Sequence, residues 1–277
     1  MGCGAVGAAL TAALVASGYT AVGATTRGRT RGRAFARRFR VPVCYGSIGP
    51  AIGRAHLILV TVGDAAIADA GALLRRSRAV TTGSVVAHTS GAVAASALGR
   101  FSGAAVGSLH PLTVLASPKA TLARGVTFVL EGDRTAQAAL RRAVIALHGR
   151  AVVVSPHQKP RYHAAAVLAS NLVVALVALA ARETDRAGLA GLRPAALGLA
   201  RAALDAVFAV GFERGLTGPL VRGDLATVQA HLRALDPKAR EIYRRLSLEA
   251  LPLAKARGVE SPSLTRLRAV LGAGRRR

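Results

Sequence analysis

The sequence predicts an α/β fold in its first half, with a doubly wound, mostly parallel sheet, and an all-helical domain in its second half. A glycine-rich turn of the form G-x-G-x-x-G lies at the N-terminus and opens a helical pattern. Short apolar runs then alternate with helical patterns up to about residue 154, which is typical of β–α–β units. From residue 155 onward the apolar period becomes about 3.6 residues. We therefore expect domains at residues 1–155 and 156–277, with the site in the cleft between them.

The glycine turn predicts a dinucleotide-binding site of the Rossmann type. Residues 2–7 read GCGAVG and precede a helical run that ends near Ser17. In such a fold the turn lets the backbone approach a pyrophosphate, which also meets the N-terminus of the following helix. The predicted pyrophosphate-binding residues are Gly2, Gly4, Ala5, Val6 and Gly7.

The next predicted strand indicates which dinucleotide is bound. It spans residues 21–26 and ends 19 residues after Gly7. At this point an acidic side chain selects NAD, whereas an arginine accommodates the 2′-phosphate of NADP. The sequence reads Thr25-Thr26-Arg27 and contains no acid here. We therefore predict NADP as the cofactor, bound by Thr26 and Arg27; a solvated basic turn is the structural alternative.

The strand that should precede the glycine turn is missing, because only Met1 stands before Gly2. In a Rossmann-type sheet that strand is the central one. A start that is placed too late and a truncated chain are both compatible with this pattern. We expect a gap in the sheet between its second and fourth strands, with apolar faces and backbone groups exposed there.

Five further apolar runs predict buried strands at residues 57–62, 85–89, 104–109, 126–130 and 151–154. Helices are predicted at residues 65–74, with Asp64 as N-cap, and at residues 135–147. Ligands bind beyond the carboxyl ends of strands in such sheets, and polar clusters follow three of these strands. They contain His110 and the remaining predicted cofactor-binding residues, Val62, Gly63, Asp64, Ser90 and Gly91.

Residues 160–182 predict one long helix that is apolar almost all round. The eighteen residues from 164 to 181 carry no charge, and their polar side chains are Ser170 and Asn171. At about 100° per residue, these two share one side of the helix with His163. A membrane span is the alternative, since eighteen apolar residues reach the lower limit for one. We favour a core helix with a polar stripe facing a cleft, because a dinucleotide-type domain precedes it.

The composition is strongly basic, with a formal net charge of +25, and 34 of the 38 basic residues are arginine. The arginines are scattered apart from a cluster at residues 27–40 and a terminal run at 275–277. The sequence contains no tryptophan and no zinc-ligand spacing, so we expect neither specific nucleic-acid binding nor a metal site. Two cysteines make no disulfide framework, and the N-terminus lacks the basic region of a signal peptide. The expected location is the cytoplasm, without membrane attachment.

Taken in order, these motifs resemble a Rossmann-like family whose C-terminal half is catalogued as domain of unknown function 2520. The motifs are the glycine turn, VGDAAI at 62–67, HTSG at 88–91, SLHPL at 108–112, YHAA at 162–165 with SN at 170–171, and LTGP at 216–219 with RGD at 222–224 and His231. They cover residues 2 to about 250. The family is similar in layout to pyrroline-5-carboxylate reductases and β-hydroxyacid dehydrogenases, and some members are ketopantoate reductases. The resemblance implies an NADPH-dependent reductase and a helical domain through which a homodimer forms.

Reducing a C=O or C=N bond needs a hydride, a proton and an anchor for the charged end of the substrate. His163 is the predicted proton donor or polarising group, with Asn171 as its partner, and His110 can touch the nicotinamide or the substrate. Dehydrogenases of the related layout use a lysine on the corresponding helix. Lys159 lies one turn before His163, but Pro160 separates the two residues. We therefore rank Lys159 below His163 as a candidate proton donor. The predicted substrate-binding residues are Tyr162, Thr217, Arg222 and Asp224.

Each of these residues also has a structural interpretation. His110 can cap a turn, Tyr162 and His163 can form a buried pair, and Arg222 can hold its loop through Asp224. For the whole chain the sequence favours NADPH-dependent reduction of a small keto or imino acid, ketopantoate being one such acid. The alternatives are a non-catalytic dinucleotide-binding or scaffold protein and a basic nucleic-acid-binding protein.

Overall fold

A computed structural model describes residues 1–273, and the terminal arginine run at 275–277 lies outside them. The chain forms two compact units, one spanning Met1–Ser170 and the other beginning at Asn171. The first unit holds a mostly parallel sheet with flanking helices, and the second is helical, so the predicted fold class is confirmed. The sheet ends at Val153, close to residue 155, but one further helix packs with the first unit.

The strands of the first unit are β1 (Ala24–Thr26), β2 (Val43–Tyr45), β3 (Leu57–Val60), β4 (Val85–His88), β5 (Ala105–Pro111), β6 (Thr127–Gly132) and β7 (Arg150–Val153). Strands β3 to β7 form one sheet in sequence order. Its neighbours are parallel except for β5 and β6, which are antiparallel. The carboxyl ends of β3, β4 and β5 therefore lie along one edge, where ligands bind in such sheets.

The helices of the first unit are α1 (Ala5–Ala16), α2 (Arg29–Phe39), α3 (Ile67–Ser77), α4 (Arg134–Ala146) and α5 (Lys159–Ala169). Leu10 of α1 and Leu140 of α4 are fully buried in an apolar cluster with Leu109 of β5. Leu74 of α3 is buried with Val86 of β4 in a separate cluster. Since successive strand residues point to opposite faces, these two clusters cover the two faces of the sheet.

The predicted gap in the sheet is present. Strands β1 and β2 pair with each other as a separate two-stranded sheet, and β3 is the edge of the five-stranded sheet. Met1 and Gly2 lie between β1 and β3 and bond to both, because Gly2 N–H donates to Thr25 O (2.8 Å) and Thr61 N–H donates to Met1 O (2.7 Å). A two-residue bridge therefore stands where the central strand of a Rossmann-type sheet belongs.

The predicted cap of the third helix is wrong. Asp64 begins a 3₁₀ turn, Asp64–Ala66, and α3 starts only at Ile67, with Ala66 at its N-cap. No described side chain caps either start. The physical reason is a tight backbone turn, in which Ala66 N–H donates to Gly63 O (2.8 Å), so that the α-helix starts at Ile67 instead of residue 65.

The predicted single helix at residues 160–182 is wrong as well. Helix α5 ends at Ala169, and Ser170 has φ −128° and ψ −78°, outside the helical range. A new helix then begins at Asn171. The Ser170 hydroxyl donates to Ala166 O (2.6 Å), a bond from a serine to the preceding turn that is known to bend helices. The shared face inferred for His163 and Asn171 assumed a continuous helix and does not apply.

The second unit consists of α6 (Asn171–Arg186), α7 (Arg193–Gly215), α8 (Leu225–Ala234), α9 (Pro237–Ala256) and α10 (Ser261–Gly272). Its apolar core includes Val228, Leu251 and Leu267 from the last three helices. Asp236 caps α9 by accepting hydrogen bonds from two main-chain N–H groups. Two helical stretches, Pro156–Arg186 and Ala190–Gly215, are long and apolar enough to cross a membrane by length and composition alone.

Candidate functional site

The glycine turn has the geometry of an anion cradle. Gly2 has φ +94°, and a Cβ there would lie 2.5 Å from Thr61 O. A Cβ on Gly7 would lie 2.4 Å from Gly2 O, so helix α1 can approach the turn only because residue 7 is glycine. Gly4 is the N-cap of α1, and a Cβ at this position would meet no atom within 4 Å. No described side chain caps the helix. The first N–H groups of α1 are therefore available to a phosphate.

A cavity of about 630 Å³ opens from this turn along the ends of β1 and β3. Arg27, Arg29 and Arg31 line it beside Gly28, which is the N-cap of α2. The Arg29 guanidinium carbon lies 5.6 Å from the Tyr45 ring centroid. The acid in the lining, Asp69, comes from α3 rather than from the end of β1. The cavity is thus electropositive on the side where an adenosine 2′-phosphate binds in this fold.

The cavity brings together only part of the predicted cofactor-binding set. The predicted residues in its lining are Gly2, Gly4, Thr26, Arg27, Val62 and Gly63. Ala5, Val6 and Gly7 belong to the first turns of α1, while Asp64, Ser90 and Gly91 are outside the lining. The Ser90 hydroxyl instead accepts hydrogen bonds from Ala92 N–H and Val93 N–H. The cofactor roles of these latter residues stay predictions.

Three aromatic side chains from β5 and α5 meet in the first unit. The Tyr162 hydroxyl lies 3.2 Å from His110 Nδ1. The ring centroids of His110 and His163 are 5.6 Å apart in an edge-on arrangement, and those of Tyr162 and His163 are 6.4 Å apart. Tyr162 and His163 are adjacent in the first turns of α5, and β5 presents His110 near its carboxyl end. We call these three residues the His–Tyr–His cluster.

Burial controls protonation within this cluster. It lowers the pKa of His110 to about 4, helped by nearby His163 and Lys159 and opposed by Asp64. Burial also raises the pKa of the Tyr162 hydroxyl, so this group keeps its proton at neutral pH. Neutral His110 can therefore accept the Tyr162 proton at Nδ1 and, as the corresponding tautomer, donate from Nε2.

Gly91 is the close neighbour of both histidine rings. A Cβ on Gly91 would lie 2.4 Å from His163 Nδ1 and 2.8 Å from His110 Cε1. Residue 91 must therefore be glycine for the rings to keep these positions. His163 Nδ1 is buried and has no hydrogen-bond partner among the described residues. A buried polar atom without a partner lowers the stability of the fold. Such atoms are rare in folded proteins, and a functional role is one explanation for them.

Lys159, which the sequence interpretation ranked below His163, is buried in the structure beside these residues. It is 1% exposed, although it stands in the first turn of α5. Its Nζ donates to Ser108 Oγ (2.7 Å) and Ser90 O (3.2 Å) and lies 3.6 Å from Glu131 Oε2. Burial lowers the pKa of Lys159, while Glu131 opposes that effect. The lysine thus joins α5 to the loop after β4 and to strands β5 and β6.

Glu131 was not predicted as a site residue, because it lies just beyond the predicted strand at residues 126–130, whereas the observed β6 continues to Gly132. It is 4% exposed, and its Oε2 accepts hydrogen bonds from Ala95 N–H (2.7 Å) and Ser108 Oγ (3.4 Å). A buried lysine and a buried acid rarely occur unpaired, so the presence of both is the signal that could have linked them. Within residues 1–273, no group of three or more His, Cys, Asp or Glu side chains is placed to hold a metal ion.

The other predicted site residues lie in the second unit. Asn171 begins α6, and Thr217 and Arg222 lie in the segment between α7 and α8. Asp224 is the N-cap of α8, where it accepts hydrogen bonds from Thr227 N–H (3.0 Å) and Thr227 Oγ1 (2.6 Å). These bonds lower the pKa of Asp224. Asp224 thus has a structural role, while the catalytic role of Asn171 and the substrate-binding roles of Thr217, Arg222 and Asp224 stay predictions.

Comparisons with known proteins agree with this geometry. The model of a family described as a domain of unknown function, DUF2520, matches residues 126–250. No curated protein matches the sequence. Among solved structures, protein TM1727 from Thermotoga maritima is 23% identical, with 92% of this chain and 97% of that chain covered and a TM-score of 0.73.

Two further solved structures carry descriptions of activity. A protein of Bacteroides fragilis, provisionally described as an NADP oxidoreductase, is 22% identical, with 91% of this chain and 96% of that chain covered and a TM-score of 0.72. A reductive aminase from Aspergillus terreus, in complex with NADPH, is 15% identical, with coverages of 98% and 90% and a TM-score of 0.56. The fold is of the Rossmann type. At these identities the likeness establishes the fold alone.

Proposed function

We propose that this protein is an NADPH-dependent oxidoreductase that reduces a small keto or imino acid. The observation that carries the proposal is the cavity beside the glycine turn, whose arginine-rich wall replaces the acid that would select NAD. The solved structures with this fold support it, since they include a reductive aminase with NADPH and an imine reductase from Myxococcus stipitatus with NADP⁺.

The residues present fit a dinucleotide phosphate. Helices α1 and α2 both start without a side-chain cap. Their N-cap residues, Gly4 and Gly28, leave open space for a phosphate at each helix start. The first helix would receive the pyrophosphate through its N–H groups, and Arg27 would contact the 2′-phosphate. The bound cofactor would supply the hydride. The reaction also needs a proton and a group that anchors the substrate, and side chains of this protein would supply both.

The His–Tyr–His cluster is suited to hold and move a proton. The Tyr162 hydroxyl keeps its proton at neutral pH, and His110 stays neutral because its pKa is lowered to about 4. A neutral imidazole beside a phenol can relay a proton to the substrate: His110 donates from Nε2 and takes the Tyr162 proton at Nδ1, and the phenolate left on Tyr162 regains a proton from solvent. His163 completes the cluster, with Gly91 against both rings. We assign the delivery of the proton to this cluster, and we assign the anchoring of a substrate carboxylate to Arg222.

The proposal extends to location and assembly. We propose a cytoplasmic homodimer that forms through the helical unit and takes a small carboxylic acid as substrate. Exposed apolar side chains on α6 and α7 support this assembly, including Phe208, which is 88% exposed. The same apolar helices would suit a membrane by composition alone, so the assembly needs its own test.

A binding measurement followed by a turnover screen tests the function. Titration with NADPH and with NADH should give the lower Kd for NADPH. Keto acids, with ketopantoate first, and cyclic imino acids are then screened for NADPH oxidation, with product formed in equal amount. NADPH binding without turnover on any acid would favour the non-catalytic dinucleotide-binding alternative. Failure to bind NADPH would overturn the proposal.

A further inference from the structure

The loop after β4, residues 89–94, is closed by a histidine of its own strand. Ser90 N–H donates to His88 Nδ1 (3.1 Å), so this nitrogen is the acceptor and the ring proton lies on Nε2. His88 Nε2 then donates to Ala94 O (3.1 Å). Burial lowers the pKa of His88, which keeps the ring in this neutral form. One fully buried side chain thus joins the start of the loop to its end.

Two charged side chains hold the same loop from α5 and β6. Lys159 Nζ donates to Ser90 O (3.2 Å), and Glu131 Oε2 accepts from Ala95 N–H, which follows the loop (2.7 Å). The two side chains form an ion pair, with 1% and 5% of their surfaces exposed. Such burial leaves Lys159 Nζ no open side at which to touch a substrate. Its direct effect is therefore on the loop.

The bond from Lys159 acts on Gly91 through one peptide unit. Ser90 O and Gly91 N belong to the same planar group, so fixing the carbonyl also fixes the position of the next Cα. A Cβ on Gly91 would lie 2.4 Å from His163 Nδ1 and 2.8 Å from His110 Cε1. The Gly91 Cα thus packs directly against both rings. Protein interiors are close-packed, so a shift of this peptide must move the rings or open a void beside them.

We propose that Lys159 is a positioning residue for proton delivery. Its bond to Ser90 O keeps Gly91 against the two histidine rings, so that His110 Nδ1 stays 3.2 Å from the Tyr162 hydroxyl. The inference rests on the proposed function, because it concerns the same proton relay. A misplacement of about 1 Å in a catalytic group can lower a rate by about a hundredfold, which sets the size of the expected effect.

The combination of Lys159→Met and Glu131→Gln tests the proposal on the full chain. Both charges are removed together, so no uncompensated charge stays buried. The glutamine keeps an oxygen that can accept from Ala95 N–H, whereas the methionine cannot donate to Ser90 O. Leu140→Ala is the control for loss of stability alone. Leu140 is fully buried on α4 against the face of the sheet opposite His110, and its truncation leaves a cavity there.

Two readouts separate a positioning role from a purely structural one. The nuclear Overhauser contact between Gly91 Hα and His110 Hε1 reports the position of the ring without cofactor or substrate. The double variant should lose this contact, and its kcat at saturating NADPH should fall by about tenfold to a hundredfold. Its KM for the acid should change by less than about threefold, because the proton is delivered only in the transition state. Leu140→Ala should lower the melting temperature and retain both the contact and kcat.

Contrary results are distinct from one another. An unchanged contact in the double variant overturns the proposal, and a lower kcat with that contact retained would mean that Lys159 acts through its charge instead. An equal loss of contact and kcat in Leu140→Ala overturns it as well, because instability alone would then explain the effect.

The test does not depend on a single variant or on turnover. If the double variant fails to fold, Lys159→Met with Glu131→Leu replaces the ion pair by apolar side chains. Absence of the contact between Gly91 and His110 in the wild-type chain overturns the proposal without any variant. A wild-type chain that binds NADPH but reduces no acid refutes the proposed function, and the contact then still decides whether Lys159 positions the rings.

Discussion

Arg27 lies immediately after β1 and lines the cavity beside the glycine turn, where an acid would favour NADH in the proposed dinucleotide site. An arginine–phosphate contact is a charge-assisted hydrogen bond worth about 1.5–3 kcal/mol. We expect Arg27→Ala to weaken NADPH binding by roughly tenfold to a hundredfold and to leave NADH binding little changed. Titration with each dinucleotide measures both values.

Arg37→Ala is the matched control for this prediction. Arg37 lies on α2, is exposed, and does not line the cavity, so its removal changes the net charge equally. It should leave the ratio of the two affinities unchanged. A wild-type protein with equal affinity for NADPH and NADH would show that the arginine-rich wall does not select the cofactor.

His163 lies in the His–Tyr–His cluster, and its Nδ1 is buried without a partner among the described residues. His163→Gln keeps hydrogen-bonding groups but removes the titratable ring. If the ring takes part in proton transfer, the turnover rate should fall by about a hundredfold to ten-thousandfold, with unchanged melting temperature and NADPH affinity. Steady-state kinetics and thermal melting of the same preparation measure the two effects.

His157→Gln provides the comparison, since His157 is exposed in the 3₁₀ turn before α5. It should change neither turnover nor stability. A purely structural His163 would show the opposite pattern, with lower stability and full activity per folded molecule. In that case His110 is the next residue to test, because it contacts Tyr162 directly.

Lys159 and Glu131 form an ion pair with side chains 1% and 5% exposed. Removing one partner of a buried pair leaves the other charge uncompensated, which typically costs about 3–5 kcal/mol. Lys159→Met should therefore lower the free energy of unfolding by roughly that amount in urea titration. Lys238→Met removes an exposed lysine and should change it by less than about 0.5 kcal/mol. Equal effects of the two variants would contradict the interpretation of Lys159 as an internal anchor.

At the scale of the elements, apolar patterning predicted most of the sheet. Strands β3 to β7 begin within one residue of their predicted starts, because uninterrupted apolar runs mark strands that are buried on both faces. Helix α2 and strand β2 were not predicted, since a run of arginines hides the apolar positions of α2, and β2 has only three residues. The break at Ser170 depends on one serine bond to Ala166 O, which apolar periodicity cannot show.

The candidate site was predicted less completely than the fold. Parallel strands align their carboxyl ends, so His110 and Gly91 could be placed at one edge from sequence alone. The ion pair of Lys159 with Glu131 joins residues 28 positions apart on α5 and β6, and only tertiary packing reveals it. The glycines and Arg27 follow one local motif, so sequence alone could bring them together at the cavity beside the glycine turn, and their cofactor roles stay predictions.

A groove lies between β1 and β3, where Met1 and Gly2 form the two-residue bridge, and it leads to a prediction about an extended chain. Joining an apolar strand of about six residues to Met1 would replace the buried ammonium group by an amide and fill both strand edges. The melting temperature should rise by roughly 5–10 °C, since each buried side chain adds about 1 kcal/mol before chain entropy is subtracted.

An extension of the same length with two prolines is the control for this experiment. It cannot pair with both edges, so it should leave the melting temperature unchanged. Differential scanning calorimetry compares the two extended chains with the unextended one. If the apolar and the proline extensions behave alike, the groove does not accept a strand and the separation into two sheets is a stable end state.

At the scale of the whole molecule, the second unit leaves α6 and α7 with uncovered apolar surface. The core of this unit is supplied by Val228, Leu251 and other residues of the last three helices and the segment before them. Large side chains of α6 and α7 are exposed instead, with Val174 at 70% and Phe208 at 88%. An isolated soluble domain rarely exposes so large an apolar surface. This exposed apolar surface supports the proposed homodimer, in which a second copy of the same surface would cover it.

Phe208→Glu tests this assembly. Aromatic side chains near the centre of an interface often contribute about 2 kcal/mol or more, so the dimer Kd should rise by roughly thirtyfold. Analytical ultracentrifugation over a range of concentrations, in buffer without detergent, measures that change. Lys255→Glu alters charge in the same direction on α9 and should leave the dimer intact. A wild-type chain that stays monomeric in this buffer would contradict the proposed dimer. A chain that remains dispersed only in detergent would contradict it as well and would support a membrane role for the two apolar helices.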